Sequence, residues 1–281
     1  MRFETMAGAA LSIACALGAA GGAKAAVTEI DIGLNPLYQQ TGATTVVATG
    51  GFFAARAFLD SASDFDGGTL TYPGAGSPVA LTPAPGATLA FSDSAGTLAD
   101  LNAAYPFGTY AFQVTNSGTA ASQSASLSYT VAAASLSVPM LTAASFNQLQ
   151  GLDAASGFTF DFNAFAQNPD ANLAFVFLDV TDSLGNDVFF RGLSPSTTSI
   201  FMPGGTLGAG QSYNFDLNFD SRITGADGGV ATTIFFDTHT LGAFSTAAAA
   251  VPEASTWAMM IVGLGGVGAA LRRRWAKGQT A

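Results

Sequence analysis

Apolar and polar residues alternate with a period of two along much of the chain. Tyr213, Phe215, Leu217 and Phe219 alternate with polar residues, which gives this segment one apolar face and one polar face that includes Asp216. The same alternation occurs at Tyr110, Phe112 and Val114, at Leu127, Tyr129 and Val131, and at Phe158, Phe160 and Phe162. Residues 172–180 are apolar on both faces, as in a strand with neighbours on both sides. The pattern predicts an all-β chain.

Turn-forming combinations of Gly, Pro, Asn and Asp separate these strands, which favours antiparallel sandwiches over parallel sheets. The aromatic triplet that begins at Tyr110 precedes the triplet that begins at Tyr213 by 103 residues, a weak internal repeat. About 100 residues is the size of an immunoglobulin-like or fibronectin-like sandwich. We therefore predict two tandem sandwiches, over residues 26–134 and 135–250. One continuous larger sandwich is the alternative.

The first 25 residues have the features of a secretory signal peptide. Arg2 gives a positive start, and residues 6–22 carry no charge. Ala23 and Ala25 flank Lys24 and place small side chains where a signal peptidase accepts them. Cleavage after Ala25 is the prediction.

The other end of the chain contains an uncharged segment followed by a cluster of cations. Counted from Ala254, the uncharged run extends for 18 residues to Leu271. As a helix it would be about 27 Å long, close to the thickness of a bilayer core. Arg272, Arg273 and Arg274 follow directly, and such cations remain on the cytoplasmic side. The sequence predicts a transmembrane helix with the body of the protein outside the cytoplasm.

The order of short motif, apolar span and arginine cluster resembles the PEP-CTERM sorting signal, in the variant that has Trp-Ala after Pro-Glu. The chain has Ala254 where the family usually has a second Pro. The residues that carry the resemblance are Val251, Pro252, Glu253, Trp257, Arg272, Arg273 and Arg274.

That resemblance implies a route and a set of partners. The secretion machinery would export the protein, and the inner membrane would retain it with its body in the periplasm. Exosortase, a membrane protease or transpeptidase of Gram-negative bacteria that make extracellular polysaccharide, would process it near Pro252 and Glu253. The destination implied is the cell surface or the extracellular matrix, with residues 251–281 serving as the sorting signal. A permanent membrane anchor is the alternative.

The charge balance narrows the classes of partner. Residues 26–250 contain 17 acidic and 3 basic residues, a net charge of −14. Nucleic-acid binding needs clustered Lys and Arg, so we exclude it. With one cysteine, Cys15, and one histidine, His239, disulfide frameworks and Cys or His-pair metal sites are excluded. We expect no cofactor.

Two acidic clusters in turns offer oxygen atoms that suit Ca²⁺, namely Asp60, Asp64 and Asp66, and Asp179, Asp182, Asn186 and Asp187. Neither has the ligand spacing of an EF-hand. Asp and Asn commonly cap turns by accepting bonds from nearby backbone N–H groups. We interpret both clusters as turn caps and predict no metal site.

No set of residues in the body points to catalysis. His239 and Asp237 share a face of one predicted strand, but no serine can be assigned to a triad with them, and a solvated histidine is the expectation. We therefore predict a non-enzymatic structural body. A carbohydrate-binding or adhesive module that takes extracellular polysaccharide is the alternative. The body has no Trp to stack on sugars, and the pattern turns Tyr110, Tyr129 and Tyr213 inward.

Overall fold

The computed structural model describes residues 26–129, 136–249, 259–262 and 264. In these ranges the chain forms thirteen β-strands and two short helices, besides helical residues at 259–262 and 264. The first half contains β1 (Val27–Gly42), β2 (Thr45–Leu59), β3 (Gly67–Thr71), β4 (Val79–Ala84), β5 (Thr88–Ala95), α1 (Leu98–Ala104), β6 (Gly108–Asn116) and β7 (Ala121–Tyr129). The second contains α2 (Ala143–Leu149), β8 (Phe158–Asp161), β9 (Leu173–Asp182), β10 (Asp187–Leu193), β11 (Ser199–Met202), β12 (Ser212–Asp227) and β13 (Val230–Ser245).

Eleven of these strands form one continuous sheet. Their order is β10-β9-β12-β13-β1-β2-β5-β4-β3-β6-β7, while β8 and β11 form a separate two-stranded sheet. Neighbouring strands are antiparallel except β1 and β13, which are parallel, with Ile32 opposite Ile234 and Leu34 opposite Phe236. Since β1 is the first described strand and β13 the last, this pairing joins the two halves of the chain.

Two hydrophobic cores lie on one side of the long β12–β13 hairpin, which we call the core face. Alternate residues of a strand share a face, and on β12 both Phe215 and Phe219 enter the second core, while Ile223 further along the strand packs against the first. On β13 the division is the same, because Phe244 belongs to the second core and Phe236 to the first. The hairpin therefore contributes to both cores.

The first core is closed by the return of β7 to the hairpin. The ring of Tyr129 on β7 lies 5.9 Å from that of Phe236 on β13. The backbone N–H of Ser126 donates to the carboxylate of Asp227 at the tip of the hairpin, at 2.7 Å. Although β7 is the last strand of the sheet, its side chains thus face the strands at the middle of the sheet across the core.

The second core is covered by α2 and the β8–β11 pair. Phe158 and Phe160 from β8 are buried there, together with Ile200 and Met202 from β11. The helix α2 begins after Thr142, whose side-chain oxygen accepts from the backbone N–H of Ser145 at 3.2 Å, as in a regular N-cap. A layer of short elements therefore packs against the long strands β9 and β12.

The prediction of an all-β body is confirmed. The predicted inward residues are buried at Tyr110, Phe112, Val114, Leu127, Tyr129, Phe158, Phe160, Phe162, Tyr213, Phe215, Leu217 and Phe219. Val131 and the predicted boundary at residues 134 and 135 lie outside the described residues.

The arrangement differs from two sandwiches in tandem that are joined only by a linker. One sheet runs through both halves, and the β12–β13 hairpin, with 16 residues in each strand, is long enough to serve both cores. Local alternation fixes which side of a strand is apolar but not which distant strand lies beside it. The parallel partner of β1 was therefore not predictable from the pattern.

The fit of Phe215 beneath Gly242 gives a test of this packing. A Cβ added to Gly242 would lie 2.3 Å from the Phe215 ring, which is buried, so the ring would have to move. We expect Gly242→Ala to lower the free energy of unfolding by about 1–3 kcal/mol through overpacking, as measured by urea denaturation of the protein. Gly96→Ala is the matched control, since its Cβ meets nothing within 4 Å. Equal stability of the two variants would contradict the packing described here.

Candidate functional site

The side of the sheet opposite the two cores carries a dense group of charged residues, and we call it the outer face. It is formed by the residues of β9, β12, β13, β1 and β2 that alternate with the core residues. The polar members at its centre are Asp31, Asn35, Arg56, Asp179, Asp216, Asn218, Asp220, Arg222, Asp237 and His239.

Two arginines on the outer face each hold a buried aspartate. Arg56 binds Asp31 through two guanidinium nitrogens. Nε donates to Oδ1 at 2.9 Å, and Nη2 donates to Oδ2 at 2.7 Å. Arg222 donates from Nε to Asp220 Oδ2 at 2.7 Å. Both aspartates are only 1% exposed. A buried carboxylate requires such a partner, because an unpaired buried charge is strongly destabilising.

A single phenylalanine ring links these two ion pairs. The guanidinium carbon of Arg222 lies 4.6 Å from the centre of the Phe235 ring, and that of Arg56 lies 5.5 Å from the same centre. Arg222 also lies over Phe175, and Arg56 over Phe58. Cation–π contacts of this kind stabilise partly desolvated arginines. The rings and the guanidinium groups together shield the aspartates from water.

His239 lies beside this group and is not the solvated histidine that the sequence suggested. It is buried, and its Nδ1 lies 3.0 Å from Asp216 Oδ2. Asn218 is its other neighbour, with Nδ2 at 3.2 Å from the histidine Nε2. Burial alone lowers the pKa of His239, but the carboxylates of Asp216, Asp237 and Asp220 outweigh it and raise the pKa to about 9. The raised pKa favours the charged imidazole, which donates from Nδ1 to Asp216.

Asp237 faces Asp220 directly across the β12–β13 pair. Burial, and next the facing carboxylate of Asp220, raise the pKa of Asp237 well above its usual range. The Oδ1 atoms of both residues are buried without a hydrogen-bond partner in the described part of the chain. A proton on Asp237 removes the repulsion between the two buried carboxylates.

The alternation in β12 predicted a polar face in contact with solvent, and this is wrong for the middle of the strand. Asn218 and Asp220 are buried rather than solvated, and Asp216 is paired with His239. Phe175 and Phe177 on the neighbouring strand β9 account for the difference, because apolar rings beside polar side chains exclude water from them. The apolar residues on both faces of 172–180 were the signal in the sequence for this environment.

Asp64 and Asp182 cap turns as predicted, whereas Asp66 bonds Ser117 of a distant turn and Asp179 is buried on the outer face. Asp64 Oδ2 accepts from the backbone N–H of Ser61 at 3.1 Å. Asp182 Oδ1 accepts from the N–H groups of Leu184 and Asn186, at 2.8 and 2.9 Å. Within residues 26–129 and 136–249, no group of three or more His, Asp or Glu side chains is arranged to hold a metal ion.

The predicted signal residues fall outside the part that the structure describes. This applies to Ala23 and Ala25 and to Val251, Pro252, Glu253, Trp257, Arg272, Arg273 and Arg274, so their roles stay predictions. Of the tail, Met259, Met260, Ile261, Val262 and Leu264 are helical and exposed. None of the helices in the described ranges has the length and apolar character needed to cross a bilayer.

The body is held in place almost up to the tail. Ala247 donates its backbone N–H to Leu152 at 2.9 Å, and its carbonyl accepts from Gly210 at 2.8 Å. The last residue in either core is Phe244. Among the described residues, the last backbone bonds of the body therefore lie at Ala247.

A family model described as the PEP-CTERM protein-sorting motif matches residues 250–274. The resemblance seen in the sequence is thereby confirmed, and the chain carries this motif at its carboxyl end. No curated protein matches the sequence.

Several solved structures are similar at low identity. A biofilm associated protein (BSP domain) is 15% identical with a TM-score of 0.23, and the match covers 79% of this chain but only 30% of that one. The human OSCAR ligand-binding domain is 12% identical with a TM-score of 0.21, over 71% of this chain and 95% of that one. Escherichia coli alpha-2-macroglobulin activated by porcine elastase is 10% identical with a TM-score of 0.23, and the match covers 78% of this chain and 20% of that one. Similarities at this level do not define a shared function.

The proton-binding groups of the outer face predict how stability depends on pH. Asp237 and His239 have raised pKa values in the folded protein, and those of Asp31 and Asp179 are raised to about 6, chiefly by burial. A group that binds its proton more tightly when folded stabilises the protein at low pH and loses that contribution as the pH rises. We therefore expect the free energy of unfolding to decrease from about pH 5 to about pH 9.

Denaturant titrations of variants at several pH values separate the contributions of Asp237 and His239 to this pH dependence. Asp237→Asn should flatten the acidic part of the profile, since the amide replaces the protonated carboxyl group. His239→Gln should flatten the part between pH 6.5 and about 9. Asp170→Asn, at an exposed carboxylate, is the control and should leave the profile unchanged. Stability that rises steadily from pH 5 to 9 would contradict the assignment of protons in this cluster.

Proposed function

We propose that this chain is an exported protein of the cell surface or extracellular matrix, routed by its C-terminal sorting signal and processed by an exosortase. The observation that carries the proposal is the sorting motif at residues 250–274. The predicted signal peptide at 1–25 starts export, and the apolar run that ends at Leu271 retains the precursor in the inner membrane. The body faces the periplasm until processing releases it.

The end of the folded body supports processing near Pro252 and Glu253. The last described backbone bonds between the body and this end of the chain involve Ala247, and the last core residue is Phe244. The residues after Glu253 that the structure describes contribute no core side chain and no backbone bond to the body. Such a junction suits a signal that is removed after it has been used.

For the body we propose a structural role without catalysis. His239 is buried between Asp216 and Asn218, where it makes an ion pair that stabilises the sheet. Five of the six tyrosines are buried, and the body contains no Trp, so the aromatic side chains that usually stack on sugars are absent from its described surface apart from Tyr38. These features favour a structural component over the carbohydrate-binding alternative. Retention of the exported protein on polysaccharide beads would support that alternative instead.

The termini of the mature protein test the proposed route. We expect mass spectrometry of protein released from the producing cells to find a new N-terminus at Ala26 and a C-terminus close to Pro252 or Glu253. A variant with Pro252→Ala and Glu253→Ala should remain in the membrane with its tail intact. Ser255→Ala, at a position between Glu253 and Trp257, is the control and should be processed normally. An intact tail on released wild-type protein would refute processing and favour a permanent anchor.

The arginine cluster allows a separate test of topology. In spheroplasts, an epitope placed after Ala281 should be protected from external protease in the double variant of Pro252 and Glu253, which keeps its tail. Replacing Arg272, Arg273 and Arg274 with serine in that background should expose the epitope, since cations resist translocation. Gln279→Ser in the same background is the control and should leave the epitope protected. Protection that does not change on removal of the three arginines would contradict the proposed orientation.

A further inference from the structure

The two edges of the eleven-stranded sheet differ in how they are protected. At one edge, β7 is tied to the rest of the body by side chains. Ser126 donates its backbone N–H to Asp227 at 2.7 Å, and Gln123 accepts from the backbone N–H of Val27 at 2.8 Å. Contacts with the β12–β13 hairpin and with β1 cover this strand further. A new strand therefore cannot add to β7 without displacing these contacts.

At the other edge, β10 pairs with β9 alone among the described strands. The strand contains no Lys and no Pro, which are the residues that commonly protect an edge from further pairing. Apart from its pairing with β9, the contact of its backbone that the described residues show is a bond of 2.7 Å from Arg191 Nη1 to the Phe190 carbonyl. Within the described residues this edge of β10 therefore has no second strand beside it, and a strand added there needs only to displace the Arg191 side chain from the Phe190 carbonyl.

An apolar patch on the outer face adjoins this open edge. Phe190 is 54% exposed, and its ring stacks at 6.0 Å on that of Phe177, which lies 5.9 Å from Phe175. Leu173, on the same face of β9, is also exposed. An exposed apolar patch that continues to an unpaired edge marks an interaction surface.

We propose that β10 pairs in antiparallel orientation with β10 of a second copy of the chain, about a two-fold axis at Phe190. This register places the two Phe190 rings opposite each other, and opposite aromatic residues stabilise a strand pair. It also places Arg191 opposite Phe189 of the second copy. Arg191 already lies 4.9 Å from the ring of its own Phe189, so the same cation–π contact extends across the interface.

Neighbouring registers are less favourable. An axis at Arg191 would place the two guanidinium groups opposite each other, and like charges in that position are destabilising. An axis at Phe189 would pair Phe190 with Val188, where β10 has an irregularity in its pairing with β9. An axis at Phe190 buries the exposed ring and opposes no like charges. An isologous contact of this kind closes as a dimer with one continuous sheet.

The charge of the body predicts how this contact depends on salt. Each copy carries a net charge of −14 over residues 26–250, so two copies repel at low ionic strength. Screening at about 0.15 M salt limits this repulsion to roughly 8 Å. Self-association should therefore strengthen as salt is added, whereas the binding of a cationic partner to the same face should weaken.

Disulfide trapping in the full-length chain tests the register. The variant Cys15→Ser contains no cysteine, and Phe190→Cys in that background introduces one. Residues directly opposite in an antiparallel pair have Cβ atoms about 4.5–5.5 Å apart, close to what a disulfide needs. Under mild oxidation in the producing cells we expect disulfide-linked dimers at least about fivefold faster than for Leu184→Cys, which is exposed in the β9–β10 turn and reports random collision. Since the side chain of Phe190 is exposed, the change should not disturb folding. It removes the pair of Phe190 rings, so trapping reports the register held by the backbone pairing and by the contact of Arg191 with Phe189.

Three results would decide the matter. Faster dimer formation at position 190 than at 184, increasing with salt, supports the proposal. Equal rates at the two positions overturn it, provided that protease resistance shows both variants to be folded. A disulfide-linked product of another mass also overturns it, because the edge then takes a different protein. This test is independent of the sorting route, since mass spectrometry of the termini reports processing in the same variants.

Discussion

The parallel pairing of β1 with β13 is the constraint on which the rest of the structure depends. Without it, Ile234 and Phe236 at the carboxyl end could not complete a core built mainly from the first half of the chain. Parallel strands need a long connection, and here it comprises nearly the whole body. Contacts between residues so far apart form late and slowly during folding. The body can therefore complete its sheet only once β13 is available to pair with β1.

That pairing also explains the ion pairs on the outer face. On the outer face of β12, β13 and β1, aromatic rings and guanidinium groups cover the carboxylates beside them. Asp31 and Asp220 lie there, and two of the three arginines of the body are bound to them across the ring of Phe235. Removing one partner of such a pair leaves an uncompensated buried charge. The scarcity of basic residues therefore does not mean that they are unimportant to the fold.

The period-two pattern predicted the core face of the sheet, but it did not predict the burial of polar residues on the outer face. The inward residues of β6, β8 and β12 followed from period-two alternation, because burial on the core face acts on each strand separately. Asn218 and Asp220 also alternate, but their burial depends on Phe177 and Phe175 of another strand. A strand sequence identifies its polar face without revealing what lies beside that face. The sorting motif needed no such context, because its order of residues is itself the signal.

The position of the body relative to the sorting signal has a further consequence. The strand β13 ends at Ser245, and the sorting motif begins at residue 250. Since β13 must pair with both β12 and β1, the body cannot be complete until the chain is exported almost to the motif. If the tail is held in the membrane as proposed, it keeps this last strand at the periplasmic surface while the sheet forms. Retention would then give a slowly folding, non-local sheet time to close before the tail is removed, so that release follows folding.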